Sequence, residues 1–382
     1  MDKTRREFGW LVASGWAVAA CGDGVALSRI PDVGSRDAFA PWSWPPTDEL
    51  RPEWVAVAAA ILAASPHNTQ PWRFVVTSAR VELHRDPNRT LGAMDGLQRE
   101  QHLGLGCAVE NLTRAAGMHG RASVVAWFPT PADPDHVASI DLTEASPTQD
   151  ALADAIPSRH TDRDTYSDDE IPGLQTSLAA LVDEPDVHLT VITDPARRAD
   201  FATHTRSATQ AIVDDGEMWA DSSLWYRATG KEVDEHRDGL TLACSGNAWL
   251  VPAFGNASPH VSPETAGKYW VKGTDKRQLT GAAFGLLGTT DRGNRSQQLA
   301  AGRIYQRIGL WAAGQGFALQ PLNQLPEMQD RDEVLGRGTV WADRLAALVD
   351  LPAQGVQMAF RIGLPKGSEP FASPRRPVSW VV

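Results

Sequence analysis

Three short stretches carry the side chains best suited to chemistry. "SPHNTQPW", from Ser65 to Trp72, packs a proline, a histidine and two carboxamides into a turn closed by Pro71. An imidazole and two amides offer donors and acceptors to something polar and planar. "SRHTDRDTY", from Ser158 to Tyr166, alternates Arg159, Thr161 and Arg163 with His160 and Asp162. Alternate residues of an extended segment share a face, and two guanidinium forks beside a hydroxyl make a clamp for phosphate. "SPRRPVSW" adds Arg375 and Arg376. The plainer alternative is a solvated turn whose arginines pair with Asp162, Asp164, Asp168 and Asp169.

The rest of the composition narrows the chemistry. A chain of 382 residues with formal net charge −11 is no general nucleic-acid binder. Cys21, Cys107 and Cys244 form no CxxC pair, so neither a zinc site nor a dithiol centre is expected. Cys107 and Cys244 read as small buried hydrophobes, with a bridge between them left open. "GLGCAV" from Gly104 lacks a third glycine and follows polar "QREQH" instead of a strand, so it fails as a dinucleotide fingerprint. Ser245 in "ACSGN" lacks the nucleophile-elbow pattern.

The first residues read as an address. Arg5 and Arg6 precede Phe8 and an uncharged apolar run to Ala20, too short to span a bilayer stably. The paired arginines resemble a twin-arginine signal, and "VAAC", ending at Cys21, resembles a lipobox. Residues 1–20 are thus expected to be an export signal, with Cys21 a lipidation site tethering the protein to a membrane. The Gly-, Pro-, Ser- and Asp-rich residues 21–46 read as a tether.

Elements must bring the three stretches together. Trp54, Val57, Ala58, Ile61 and Leu62 follow helical spacing, and "RFVV" after the turn reads as a strand. A second helix-then-strand pair, "IPGLQTSLAALV" and "LTVIT", echoes the first but joins through a short "DEPD". "GCAVENLTRAAGMHG", from Gly106, aligns with "GRIYQRIGLWAAGQG", from Gly302, each a helix ended by a glycine. Helix and strand patterns alternate in both halves, which predicts an α+β or α/β architecture built from a repeat.

"SPHNTQPWRFVV" resembles the PSxxNxQPWxFxV signature of the nitroreductase superfamily of FMN flavoproteins. "RHTDRDTY" is similar to its RxSxR phosphate motif, and "PRRPVSWVV" to its terminal basic segment. The order of the motifs is inverted, as in the Acg-type branch, single chains in which two nitroreductase-like halves mimic the homodimer. The resemblance implies an α+β, nitroreductase-like FMN-binding fold: two fused half-domains, each an antiparallel or mixed sheet flanked by helices. The first half would be residues 47–150 and the second 151–382, with a lid insertion at about 215–275.

Each half keeps motifs that the other lacks, implying one composite FMN site in a monomer. Arg159, Thr161 and Arg163 would hold the phosphate and the pyrimidine edge, with Arg375 or Arg376 completing the clamp. Pro66, His67, Asn68 and Gln70 would pack on or hydrogen-bond the ring and ribityl chain. A backbone N–H of Leu322 or Asn323 would face flavin N5, although Asn323-Gln324 departs from the acidic residue and glycine usual there. The implied function is an exported, periplasmic or cell-surface oxidoreductase. It would pass electrons in ping-pong fashion from a donor such as NAD(P)H to nitroaromatic or quinone acceptors. The flavin would carry the chemistry, with no catalytic side chain and no metal. The rival is a non-catalytic protein that sequesters flavin under an occluding lid.

Overall fold

A computed structural model describes residues 35–46, 51–246, 262–349, 355–367 and 369–382. The expected export signal and the Cys21 site lie outside the described residues.

The first half opens with helix α1 (Pro52–Ala60), whose first position takes Pro52 without losing a needed N–H. Strands β1 (Trp72–Val76) and β2 (Arg80–Arg85) form a hairpin. Helix α2 (Arg99–Met118) follows, then β3 (Arg121–Trp127) and β4 (His136–Glu144). The Asp95 carboxylate starts α2 by accepting the N–H groups of Glu100 and Gln101. The sheet is antiparallel in the order β1-β2-β4-β3.

The second half repeats this plan with insertions. Helix α3 (Leu174–Ala179) leads to β5 (Val187–Ile192). Between β5 and its partner β8 (Ala283–Thr289) run α4 (Pro195–Asp214), α5 (Gly216–Ser223), a two-residue strand β6 (Tyr226–Arg227), α6 (Gly230–His236), β7 (Leu240–Thr241) and α7 (Pro263–Gly273). Helix α8 (Arg295–Gly314), β9 (Ala318–Pro321), α9 (Gln324–Leu335), α10 (Val340–Ala346) and β10 (Gly355–Gly363) complete it. Its antiparallel sheet has the order β5-β8-β10-β9. Counted within each half, both sheets run first, second, fourth, third. β8 is buried along its whole length, which is why "AFGLLGT" reads as one apolar run instead of an alternation.

The halves meet along α2 and α8, the most extensive helix contact among the described residues. The contact is symmetric at the sequence offset of 196. A Cβ on Gly106 would overlap the Leu299 carbonyl, and one on Gly302 would overlap the Leu103 carbonyl. Four positions, in two pairs related by the same offset, thus make one reciprocal backbone contact. His102 and Gln298, also offset-related, bond each other across it at 2.8 Å.

Two expectations need correction. Residues 35–46 are not a free tether: Arg36–Ala38 and Ala40–Trp42 form 3-10 turns, Ala38 and Trp44 are buried, and Trp44 Nε1 donates to Val55 O at 3.2 Å. Two tryptophans gain more from burial than the surrounding prolines and serine do from solvation. The insertion is also longer than residues 215–275, since everything from α4 onward separates β5 from β8. Cys107 and Cys244 are free and buried, with no bridge between them.

Candidate functional site

The two arginine motifs and the SPHNTQPW turn converge. The turn is held by three non-glycine residues of positive φ, His67 at 44°, Asn68 at 56° and Gln70 at 51°. Such backbone is costly for residues with a Cβ and persists only where neighbours enforce it. The enforcing bonds come from distant segments. Asn68 Nδ2 donates to Gly239 O and Pro374 O at 3.1 and 2.9 Å, while its Oδ1 accepts from Arg375 Nη1 at 2.5 Å. Gln70 Nε2 donates to Arg237 O at 2.8 Å, and its Oε1 accepts the Arg376 N–H at 2.9 Å. Both amides therefore brace protein segments instead of standing open to a planar ligand. Pro66 packs on Gly104 of α2.

The arginines separate into two groups. Arg375 is 2 % exposed and Arg159 6 %. Arg159 Nη2 donates to Leu62 O at 3.3 Å, Arg163 Nη1 to Cys244 O at 2.7 Å, and Arg375 Nη2 to Ala63 O at 3.3 Å. None of the three forms a salt bridge among the described residues, and the Nε atoms of Arg159 and Arg375 have no hydrogen-bond partner. Burial presses all three guanidinium groups toward lower pKa, furthest at Arg375, where Arg159 adds repulsion. The groups that favour the Arg159 charge are Tyr305 and Cys107, both kept neutral by burial. Arg376 turns away, donating to Gln70 O at 3.3 Å and Trp380 O at 3.0 Å. Of the two C-terminal arginines, Arg375 is the one beside Arg159.

Two imidazoles share this field. His160 is held down to about 3 by burial, then by Arg159 and Arg375, and its Nδ1 has no partner. His67, pressed to about 4 by burial and Arg163, bonds Ser222 Oγ of α5 at 2.9 Å. Thr161 lies between Arg159 and Arg163 on the same extended stretch, half-buried. Asp162, itself buried, offsets part of the Arg163 charge, but no carboxylate among the described residues does so for Arg159 or Arg375, and such buried charge costs free energy unless an anion supplies what is missing. Guanidinium forks with idle Nε–H groups suit a phosphate monoester.

Of the two backbone N–H groups expected under a ring, that of Leu322 is engaged elsewhere. Leu322 N–H donates to Ala359 O at 2.7 Å, and its side chain is fully buried in the core around Leu325 and Phe284. Leu322 is therefore corrected as an N–H donor to a ligand. Asn323 Oδ1 accepts the Ala359 N–H at 2.9 Å, and its Nδ2 lies 3.1 Å from Met358 Sδ.

Sequence reasoning missed Trp42 and His160. The Trp42 ring lies edge-on to His160 at 4.4 Å, and the Arg375 guanidinium sits over it at 4.6 Å. The available signal was "PWSWPP": two tryptophans are foreign to a solvated linker. The inserted segment from α5 through Cys244, just past β7, supplies Ser222, Arg237, Gly239 and Cys244, so it packs directly on the site. Among the described residues no metal-binding cluster occurs and no helix is long and apolar enough to cross a membrane.

No family profile matches the chain. Acg of Mycobacterium tuberculosis H37Rv, named provisionally as an NAD(P)H nitroreductase, is 30% identical over 335 residues, covering 85% of this chain and 93% of Acg. A second protein of that strain with the same provisional name is 28% identical over 341 residues, covering 85% and 88%. Among solved structures, the FMN-dependent nitroreductase NfnB of Mycobacterium smegmatis, crystallised with NADPH, overlays with a TM-score of 0.37 at 14% identity, covering 61% of this chain and 96% of NfnB.

Proposed function

This chain belongs to the nitroreductase family, and from that premise we propose that it is an FMN-dependent oxidoreductase with one composite flavin site per chain. The observation that carries the reading is the cluster of Arg159, Arg163 and Arg375, in which the buried Arg159 and Arg375 meet no carboxylate among the described residues and keep two idle Nε–H groups. Such a cluster fits the phosphate of FMN. Arg159 and Arg375, with Thr161 and His160 beside them, would hold that phosphate. Arg163, at the other end of the stretch and next to His67, would stand nearer the ring. The SPHNTQPW turn fixes Arg375 through Asn68, so the first half orients a ligand of the second. This is the pseudo-dimer logic: two halves of one chain do what two subunits do in a homodimer.

When bound, FMN supplies reversible two-electron transfer between a donor such as NAD(P)H and a nitroaromatic or quinone acceptor. The chain's own contribution is binding, orientation and access. Positive charge fixed by Arg163 favours an electron-rich ring, and His67, neutral by burial, adds no charge at ordinary pH. The inserted α5–β7 region would limit what reaches the ring. That packing, with His67 bonded to Ser222 and Asn68 to Gly239, also favours a second reading, a flavin-holding protein without turnover.

Steady-state oxidation of NADPH or NADH with a nitroaromatic or quinone by the flavin-loaded chain separates the two. Turnover supports the enzyme. A yellow, stoichiometrically loaded protein that is reduced by dithionite but by neither nicotinamide supports the binder. Export through residues 1–20 and lipidation of Cys21 belong to the proposal too. Mass spectrometry of the protein from membrane and soluble fractions would find the chain starting at a lipid-bearing Cys21, and an intact N-terminus would remove this part.

A further inference from the structure

Residues 35–46 run against the arginine cluster. Ala38 O accepts the Arg375 N–H at 2.8 Å, and Trp42 Nε1 donates to Ser373 O at 2.7 Å. The two faces of contact that Trp42 offers go to the same place: its ring takes the Arg375 guanidinium at 4.6 Å and the His160 edge at 4.4 Å. The strap is itself pinned to the insertion, since Ser35 N–H donates to Asp234 Oδ1 at 2.5 Å.

Among the described residues Arg375 has Asn68, Ser373 and backbone carbonyls as polar partners and no carboxylate. A desolvated guanidinium without a counter-ion is attracted to an aromatic face. The indole occupies one side of Arg375 and leaves Nε without a protein partner. We propose that Trp42 is a positioning residue of the phosphate site. It holds Arg375 and His160 for the phosphate group, so that docking of the 35–46 strap and binding of the phosphate reinforce each other. Such coupling is reciprocal: whatever the docked strap adds to phosphate affinity, bound phosphate adds to strap stability. The inference rests on the FMN reading for the identity of the phosphate carrier.

The test compares FMN with riboflavin, which has the same ring and no phosphate, on the full chain and on Trp42→Ala and Trp42→Phe. Trp42→Ala should weaken FMN by about 3- to 30-fold and riboflavin by less than about twofold, with Trp42→Phe recovering most of the loss. In the wild-type chain, FMN should slow hydrogen exchange of the 35–46 amides, inorganic phosphate should do so at higher concentration, and riboflavin should not. Equal weakening of FMN and riboflavin, or exchange over 35–46 indifferent to FMN, overturns the proposal. If Trp42→Ala does not fold, the exchange comparison and Trp42→Phe still decide. A wild-type chain that binds inorganic phosphate and slows exchange over 35–46, yet ignores FMN, would keep the strap coupling and overturn the FMN reading. Binding neither would overturn both.

Discussion

Two places on the α2–α8 pair are related by the internal repeat and have opposite electrostatics. At one, Arg159 packs on Gly309 of α8 beside Arg163 and Arg375; Asp162 offsets part of the Arg163 charge, and among the described residues no carboxylate pairs with Arg159 or Arg375. At the other, the position equivalent to Gly309 is Thr113 of α2, and it lines a cavity of about 300 Å³ with Glu110, Arg114, Asp150, Arg303 and Arg307. There every arginine is paired. Glu110, 1 % exposed, accepts from Arg114 and Arg307 at 2.7 Å and from Arg303 at 3.1 Å. Asp150 takes Arg114, Glu184 takes Arg303, and Asp183 takes Arg307. Arg303 and Arg307 replace Cys107 and Asn111 of the first half. The repeat thus has two solutions to the same location: one leaves positive charge for a ligand to neutralise, and the other neutralises it internally. The difference explains why a duplicated scaffold would keep one flavin site instead of two.

The largest effect should come from breaking the neutralised side. Glu110→Ala removes the buried carboxylate that three arginines share, leaving each only its outer partner, and should cost about 3–5 kcal/mol of stability, read from urea unfolding, while flavin binding per folded chain is unchanged. A loss below about 1 kcal/mol would mean that the network does not close this location. On the charged side the sign reverses. Arg159→Met removes an uncompensated buried charge, so the ligand-free protein should keep or gain stability while FMN weakens by about 10- to 100-fold. Destabilisation without loss of FMN affinity would make Arg159 a structural residue.

The symmetric contact itself offers a smaller test. Gly302→Ala pushes a methyl into the Leu103 carbonyl and should cost about 1–3 kcal/mol. Gly309→Ala meets Arg159 Cδ at 3.4 Å, an ordinary contact, and should be nearly neutral for stability. Equal penalties would deny the close approach at Gly302. A further contrast concerns pH. His67, His102 and His160 are held near 4, 4 and 3 by burial, so the unfolded chain takes up protons first as pH falls below about 6.5. Stability of the ligand-free protein should therefore decline from pH 6.5 toward 4. FMN should blunt the decline, because phosphate beside His160 favours its protonated form. Urea midpoints at several pH values, with and without FMN and with His160→Asn, would show it; identical slopes for wild type and variant would place His160 outside the field.

Much of this was legible from residue types. The 196-residue offset of Gly106 and Gly302 marked two glycine-ended helices as a repeat, but that the two pack on each other at those glycines is tertiary and came only with the structure. The alternation of Arg159, Thr161 and Arg163 and the pair Arg375-Arg376 marked the cluster, but not which C-terminal arginine is buried, since both have identical local context. Asn68 and Gln70 were visible as polar and special. Their partners, the carbonyls of Arg237, Gly239 and Pro374, lie far along the chain and are chosen by tertiary packing that no local pattern encodes. The same holds for the Leu322 N–H, which pairing with β10 takes up. Trp42 was misjudged because prolines and serine around it outweighed one aromatic ring in a compositional reading, whereas in the fold that ring meets two cluster residues.

The central claim is a single phosphate-anchored flavin per chain at the Arg159–Arg163–Arg375 cluster. Native mass spectrometry of the folded chain titrated with FMN, alongside Arg159→Met and Glu110→Ala, tests it most directly. The account predicts saturation at one FMN per chain in the wild type, loss of that occupancy in Arg159→Met at the same concentration, and one FMN in Glu110→Ala. Two FMN per wild-type chain, or one that survives Arg159→Met undiminished, would contradict it.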